Sequence, residues 1–245
     1  MGYHWNWQIF LSATPSGGDT YLGWMLAGLK MTVALSLAAW VLALLVGALM
    51  GVLRTVPSKA LQRLAGAYVE LFRNIPLLVQ LFLWYFVLPE LLPTAWGNAY
   101  KQINPVLQQF LAAWICLGLF TSARVCEQVR AGIESLPPGQ KNAGLALGLT
   151  LPQTYRHVML PMAARLVVPP LTSEFLNIFK NSAVCSTIGL LELAAQGRQL
   201  VDYTAQPYES FIAVTLMYVL INVVVMTLMH HVETHTRVPG YIGKR

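Results

Sequence analysis

Between Tyr21 and Leu53 the chain runs for 33 residues with a single charged side chain, Lys30. A run of that length and apolarity has its natural solvent in lipid. A bilayer core takes about 20 such residues as a helix, and the excess is absorbed by tilt or by extension beyond the membrane. Lys30, near one end, can snorkel its ammonium to the headgroups. The rest of the chain has the same character, with 56% apolar and 11% charged residues out of 245, against about a quarter charged in soluble domains. Further spans are expected over residues 64–92, 110–134, 162–193 and 208–229. The expected fold class is therefore an all-α integral membrane protein with five transmembrane helices, residues 21–229 forming one transmembrane domain. Trp5, Trp7 and Phe10 suit residues 1–20 to the headgroup level as a short interfacial segment, and residues 230–245 form a basic tail.

Five spans put the two ends of the chain on opposite sides, and lysine and arginine decide which is which. Residues 1–29 and the loops 93–109 and 194–207 hold only Lys101 and Arg198. The alternate segments hold Arg54, Lys59, Arg63, Arg73, Arg124, Arg130, Lys141, Arg156, Arg165, Arg237, Lys244 and Arg245. By the positive-inside rule the amino terminus is periplasmic and the carboxyl terminus cytoplasmic. This asymmetry also accounts for the net charge of +6, so nucleic acid is not an expected partner, whereas membrane lipid is. The first basic residue is Lys30, so the basic start of a cleaved signal peptide is missing and no processing is expected. Cys116, Cys126 and Cys185 lie in apolar segments without metal-ligand spacing and read as small hydrophobes. His230, His231 and His235 read as a juxtamembrane face rather than a metal site.

The stretch from Leu136 to Pro161, LPPGQKNAGLALGLTLPQTYRHVMLP, is polar and rich in helix breakers where a short hairpin would have joined two spans. Pro137, Pro138 and Gly139 end the preceding helix. A short helix over about 140–147 then places Ala143 and Leu147 on one face, with Gly144 and Ala146 leaving the backbone approachable. Gly148 stops it. Thr150 and Gln153 read as a capping box opening a second short helix, which carries Leu151, Tyr155, Val158 and Met159 inward, exposes Arg156 and His157, and closes at Leu160 and Pro161. From the residues alone this is either a docking surface for another protein or a glycine-rich connection between spans.

The string N-A-G-L-A-L-G, with Gly148 thirteen residues before the Pro161 of M-L-P, resembles the EAA loop of ABC importer permeases. Asn142 stands where glutamate is usual, and Gly144 where the second alanine is. Tyr68 to Pro89, YVELFRNIPLLVQLFLWYFVLP, resembles the polar amino acid branch of these permeases, as do Ala123 to Gln140 and Lys180 to Leu193. The resemblance covers residues from about 20 to 230. It implies the type I ABC importer permease fold in the bacterial inner membrane, with cytoplasmic coupling helices seated in a groove of a separate ATPase. Asn142, Ala143, Gly144, Ala146, Leu147, Gly148 and Pro161 would carry that contact. It implies as partners a dimer of ATPase subunits, which hold ATP and magnesium, a second permease chain, more often a paralogue than a copy, and a periplasmic amino-acid-binding protein. The start around Trp5 and Trp7, the RTVPSK connection and VCEQVRAGIESLPPGQKNA are most similar to the glutamate/aspartate importer permeases of Gram-negative bacteria. Glutamine, histidine and arginine are the alternative substrates.

An ionisable residue within a span costs about 3 kcal/mol at the membrane centre on insertion scales, so each needs a partner or a task. Glu70 with Arg73, and Arg124, Glu127 and Arg130, follow i,i+3 spacing and read as ion pairs near a cytoplasmic gate in preference to direct substrate contacts. Glu174, Asn177 and Asn181 recur on one helix face beside Lys180, and either line the substrate pathway or pair internally. The chain has no phosphate-binding G-x-x-x-x-G-K-[ST] loop and no catalytic constellation in a plausible context, so no cofactor is expected in it and it is not expected to be an enzyme. Energy has to come from a partner, or from an ion gradient if the chain is a secondary transporter with Glu174 and Lys180 as its relay. A scaffold that only recruits a cytoplasmic protein is a third possibility.

Overall fold

The structure is a computed structural model and describes residues 3–15 and 17–236. The basic-tail residues Arg237, Lys244 and Arg245 lie outside them. Apart from one isolated bridge between Ala13 and Thr20, the described residues form helices, turns and loops. After a 3-10 turn, Trp7–Leu11, come α1 (Tyr21–Leu53), α2 (Lys59–Asn74) and α3 (Leu77–Phe82). A π turn, Leu83–Val87, leads into α4 (Leu88–Leu91), followed by α5 (Thr94–Lys101), α6 (Pro105–Glu134) and α7 (Pro138–Ala146). Then α8 (Leu151–Thr154) continues through a π turn, Tyr155–Met159, into α9 (Leu160–Asn181), a 3-10 turn (Ser182–Ile188), α10 (Leu193–Thr204) and α11 (Pro207–Thr236).

Three of these helices, α1, α6 and α11, are each long and apolar enough to cross a membrane unaided. Two bent helix pairs, Lys59–Asn74 with Leu77–Leu91 and Leu151–Ile188 with Leu193–Thr204, reach the same length and apolarity when each pair is taken together, as a broken span or a re-entrant loop. Backbone chemistry places the breaks. Pro76 has no N–H to continue α2. In the other span the left-handed φ of +88° at Gly189 turns the chain after Ile188, and the Glu192 carboxylate, fully buried, accepts from the Ala194 and Ala195 amides at 3.0 and 2.7 Å to cap α10. The expectation of a helix running to residue 193 followed by a polar loop is thus corrected. The apolar I-G-L-L-E-L string is a turn and an N-cap, and the segment after it is helical.

The described chain divides into two compact units. One comprises, among the described residues, 3–15, 17–39, 76–117 and 177–224. Its hydrogen bonds tie segments far apart in sequence: Thr32 Oγ1 accepts from the Leu193 amide at 3.1 Å, Trp114 Nε1 donates to the Ala38 carbonyl at 2.9 Å, and Tyr218 donates to Glu192 at 2.8 Å. The amino-terminal segment is tied to the start of α11 through Glu209, which accepts from the Tyr3 hydroxyl and, at 2.6 Å, from the Asn6 amide. Tyr3, Trp5, Trp7 and Tyr208 pack as a mostly exposed aromatic cluster, Trp5 and Trp7 stacked with their planes 4° apart.

The other unit comprises, among the described residues, 40–75, 118–176 and 225–236. Here α1 meets α6 through Gly47 and Gly51. A Cβ on Gly47 would come within 2.7 Å of the Ser122 carbonyl, and one on Gly51 within 2.9 Å of the Cys126 carbonyl. This is the small-residue packing that lets backbones approach where lipid supplies no hydrophobic drive between helices.

Candidate functional site

Two features of the second unit carry chemistry. The first is the segment from Pro138 to Pro161. Pro138 occupies the first position of α7, where its missing N–H costs nothing, so the helix starts slightly earlier than the expected residue 140. Leu147 caps it, and Gly148 turns the chain at φ +82°. The Gln153 side chain reaches back to the Thr150 amide at 2.8 Å, opening α8 as a capping box. Asn142, Ala143, Leu145, Ala146, Leu147 and Gly148 are exposed, Leu147 at 83%.

Beneath that face the segment is anchored. Tyr155 and Met159 enter a cluster with Ile133, Leu136 and Ala163, flanked by Val52, Val56 and Val129. Tyr155 also donates to the Thr55 carbonyl at 2.8 Å. Two expectations change. Gly144 is buried against Thr154, whose Cγ2 would sit 2.8 Å from an added Cβ, so it serves the contact between the two short helices and not the exposed face. Leu160 and Pro161 do not close the second helix. The π turn just before them has left the i→i−4 register, where a residue without an N–H is tolerated, and α9 follows directly. Pro161 itself is exposed, as are Arg156 and His157.

The second feature is a cleft of about 340 Å³ lined by Phe72, Arg73, Phe120, Arg124, Glu127, Gln128 and Glu174. Arg124 lies 4.8 Å over the Phe120 ring and 3.7 Å from Glu174, whose side chain is 13% exposed. That distance is an ion pair without a hydrogen bond, and Glu174 Oε2 is buried with no hydrogen-bond partner. Glu127 accepts from Arg130 at 2.9 Å and pairs with Arg54 in the turn just after α1, while Arg130 also reaches Glu134 at 2.8 Å. The i,i+3 pair Glu127–Arg130 therefore forms. Arg124 turns instead to Glu174 on another helix. Glu70 and Arg73 are both exposed with no ion pair between them among the described residues, so that expected pair is corrected, and Arg73 faces the cleft. Of the other pathway candidates, Asn177 and Asn181 are half-buried and Lys180 is exposed, without an ion pair among the described residues.

The comparisons with known proteins fit this arrangement. Residues 43–238 match the family model of the binding-protein-dependent transport system inner membrane component. The chain belongs to that family. This permease is 57% identical, over 99% of both chains, to the glutamate/aspartate import permease protein GltJ of Escherichia coli. It is 34% identical to the probable glutamine ABC transporter permease protein GlnM of Bacillus subtilis, over 84% of this chain and 90% of the relative. Among solved structures it is similar to an amino acid ABC transporter crystallised with histidines, with a TM-score of 0.74 and 30% identity over 88% of this chain and 95% of that one. The MetNI methionine transporter, at a TM-score of 0.66 and 21% identity over 87% and 94%, shares the fold. This permease is thus a multi-pass inner-membrane transport component.

Sequence reading alone did not single out Tyr155 as a hydrogen-bonding residue, Arg54 as the partner of Glu127, or the glycine pair of α1. The G-x-x-x-G spacing of Gly47 and Gly51 was a legible signal. The two side-chain partnerships join residues 100 and 73 apart, and no local pattern encodes them.

Proposed function

We propose that this permease lines the translocation pathway of an ATP-driven importer for polar amino acids, glutamate and aspartate first, and couples it to a separate ATPase. The observation that carries the coupling is the exposed face of α7. Leu147 and its neighbours project from a segment that is itself clamped to α1 and α6, the arrangement a rigid docking element needs. In this reading Asn142, Ala143, Ala146, Leu147 and Gly148 seat in a groove of the ATPase, which holds ATP and magnesium, and Pro161 starts the helix that carries the motion onward. Two such permeases, a paralogue being the more natural partner, enclose the pathway, and a periplasmic binding protein delivers the substrate. The amino terminus is periplasmic and the docking segment cytoplasmic.

The substrate assignment is supported by the identity with the glutamate/aspartate permease along the whole chain. The cleft suits it. Arg73 and Arg124 offer cations to a dicarboxylate, Arg124 with a planar fork that can donate two parallel hydrogen bonds to one carboxylate. Glu174 keeps Arg124 paired when no substrate is present, while Glu127 is held by Arg54 and Arg130.

The test is reconstitution of the complete complex in liposomes with labelled glutamate and the binding protein outside and ATP inside. Uptake should require ATP and all subunits, and be competed by aspartate more strongly than by glutamine, histidine or arginine. Competition by glutamine alone would reassign the substrate, and uptake by this chain without ATP would replace the importer with an ion-coupled carrier.

A further inference from the structure

Docking segment and charged cleft meet at one place, the turn that ends α1. Arg54 and Thr55 are adjacent there. The Thr55 carbonyl, beyond the last α1 residue and without a helical partner, accepts from the Tyr155 hydroxyl at 2.8 Å. Arg54 pairs with Glu127, which lines the cleft. The turn is stiffened by its own bonds, Thr55 Oγ1 donating to the Val52 carbonyl at 2.8 Å and the Gln62 side-chain Nε2 donating to the Val56 carbonyl at 2.9 Å. Tyr155 opens the π turn, and with Met159 it is held in the apolar cluster that includes Val52 and Val56.

We propose that Tyr155 is a positioning residue that transmits movement of the docking segment, through the Arg54–Thr55 turn, to the Glu127 side of the cleft. A shift of α7 and α8 carries the Tyr155 hydroxyl with it. The stiff turn follows as a unit, and Arg54 then changes its hold on Glu127, altering how many charges the cleft presents to a substrate. A two-residue turn suffices because hydrogen bond and ion pair leave it from neighbouring residues. The proposal rests on the coupling function proposed above.

The test uses the complete complex in nanodiscs and reads the ratio of ATP hydrolysis with glutamate-loaded binding protein to hydrolysis without it. Tyr155→Phe keeps the ring in its cluster and removes only the hydroxyl. It should retain the ATPase at wild-type stoichiometry while lowering the ratio about five-fold, the scale of one intramolecular hydrogen bond. Arg54→Gln should lower it comparably, and the double variant should be no worse than the weaker single one, because two links in series fail once. Thr55→Val keeps the carbonyl that Tyr155 reaches at 2.8 Å but removes the Oγ1 bond that stiffens the turn, so it should lower the ratio less than Tyr155→Phe does. A wild-type ratio in Tyr155→Phe, or single effects that multiply in the double variant, would overturn the proposal. So would loss of the ATPase from Tyr155→Phe, which would make the residue part of the docking scaffold. A wild-type complex that holds no ATPase would overturn the coupling function itself, and this link with it.

Discussion

Gly144 occupies a position where the EAA-type pattern has alanine, and the reason lies across the contact. Thr154 is fully buried, donates to the Thr150 carbonyl at 3.1 Å, and fills the space a Cβ would take. Gly144→Ala should therefore destabilise the permease by about 1–3 kcal/mol, the usual cost of one methyl too many in a packed site. Thr154→Ser keeps the hydroxyl and removes Cγ2, so the double variant should recover most of the loss in thermal unfolding of the purified chain. Equal stability of Gly144→Ala and wild type would show that the helix pair can spread. Gly148 is governed by a different constraint. Nothing lies within 4 Å of a Cβ built there, so Gly148→Asp does not fill the bend; it carries the cost of a left-handed φ, about 1–2 kcal/mol, and places a charge beside Leu147. In the cleft, Arg124→Gln leaves the mostly buried Glu174 carboxylate without its counter-charge and, on the proposed function, removes a cation offered to the substrate. Uptake should fall about ten-fold or more in a transport assay of that variant.

At the scale of elements, α7 ends in an uncovered apolar cap residue, Leu147. Leu147 is among the most exposed large apolar side chains in the chain, outside the candidate membrane spans. Leu147→Asp should leave folding within about 0.5 kcal/mol of wild type, as surface changes do, yet strip the ATPase from the detergent-purified complex. An ATPase retained in full would place the docking surface elsewhere. Much of this element was legible beforehand: the breakers Pro137 to Gly139, the glycine at 148 and the Thr150–Gln153 box each act through backbone chemistry within a few residues. What escaped was how the segment ends. Proline usually stops a helix because an N–H is missing from the ladder. Before Pro161 the ladder has already slipped by one residue in a π turn, whose end residues Tyr155 and Met159 are packed in a cluster with Ile133, Leu136 and Ala163. The same division explains the cleft. Glu127–Arg130 is an i,i+3 pair and could be read from spacing, whereas Arg124–Glu174 and Arg54–Glu127 need the helices to be brought together first.

For the whole molecule, lipid is the solvent that made the class legible, because apolar runs of span length have few other uses, and charge asymmetry then gives a direction. The direction can be tested apart from transport. The three native cysteines are buried and unpaired, so they offer little background to a thiol reagent. Trp96, on α5, is 72% exposed, and Leu147 on the docking segment is more so. With the amino terminus periplasmic, Trp96→Cys should react with a membrane-impermeant maleimide in cells whose outer membrane has been opened. Leu147→Cys should react only after the inner membrane is broken, and the assembled ATPase should protect it even then. The physical ground is that twelve of the sixteen basic residues lie in the segments assigned to the cytoplasm, where retaining lysine and arginine during insertion fixes orientation. The reverse labelling pattern would put the docking segment on the side without ATP, and the coupling mechanism would fail with the topology. The expected pattern, with protection by the ATPase, ties orientation and docking to one residue.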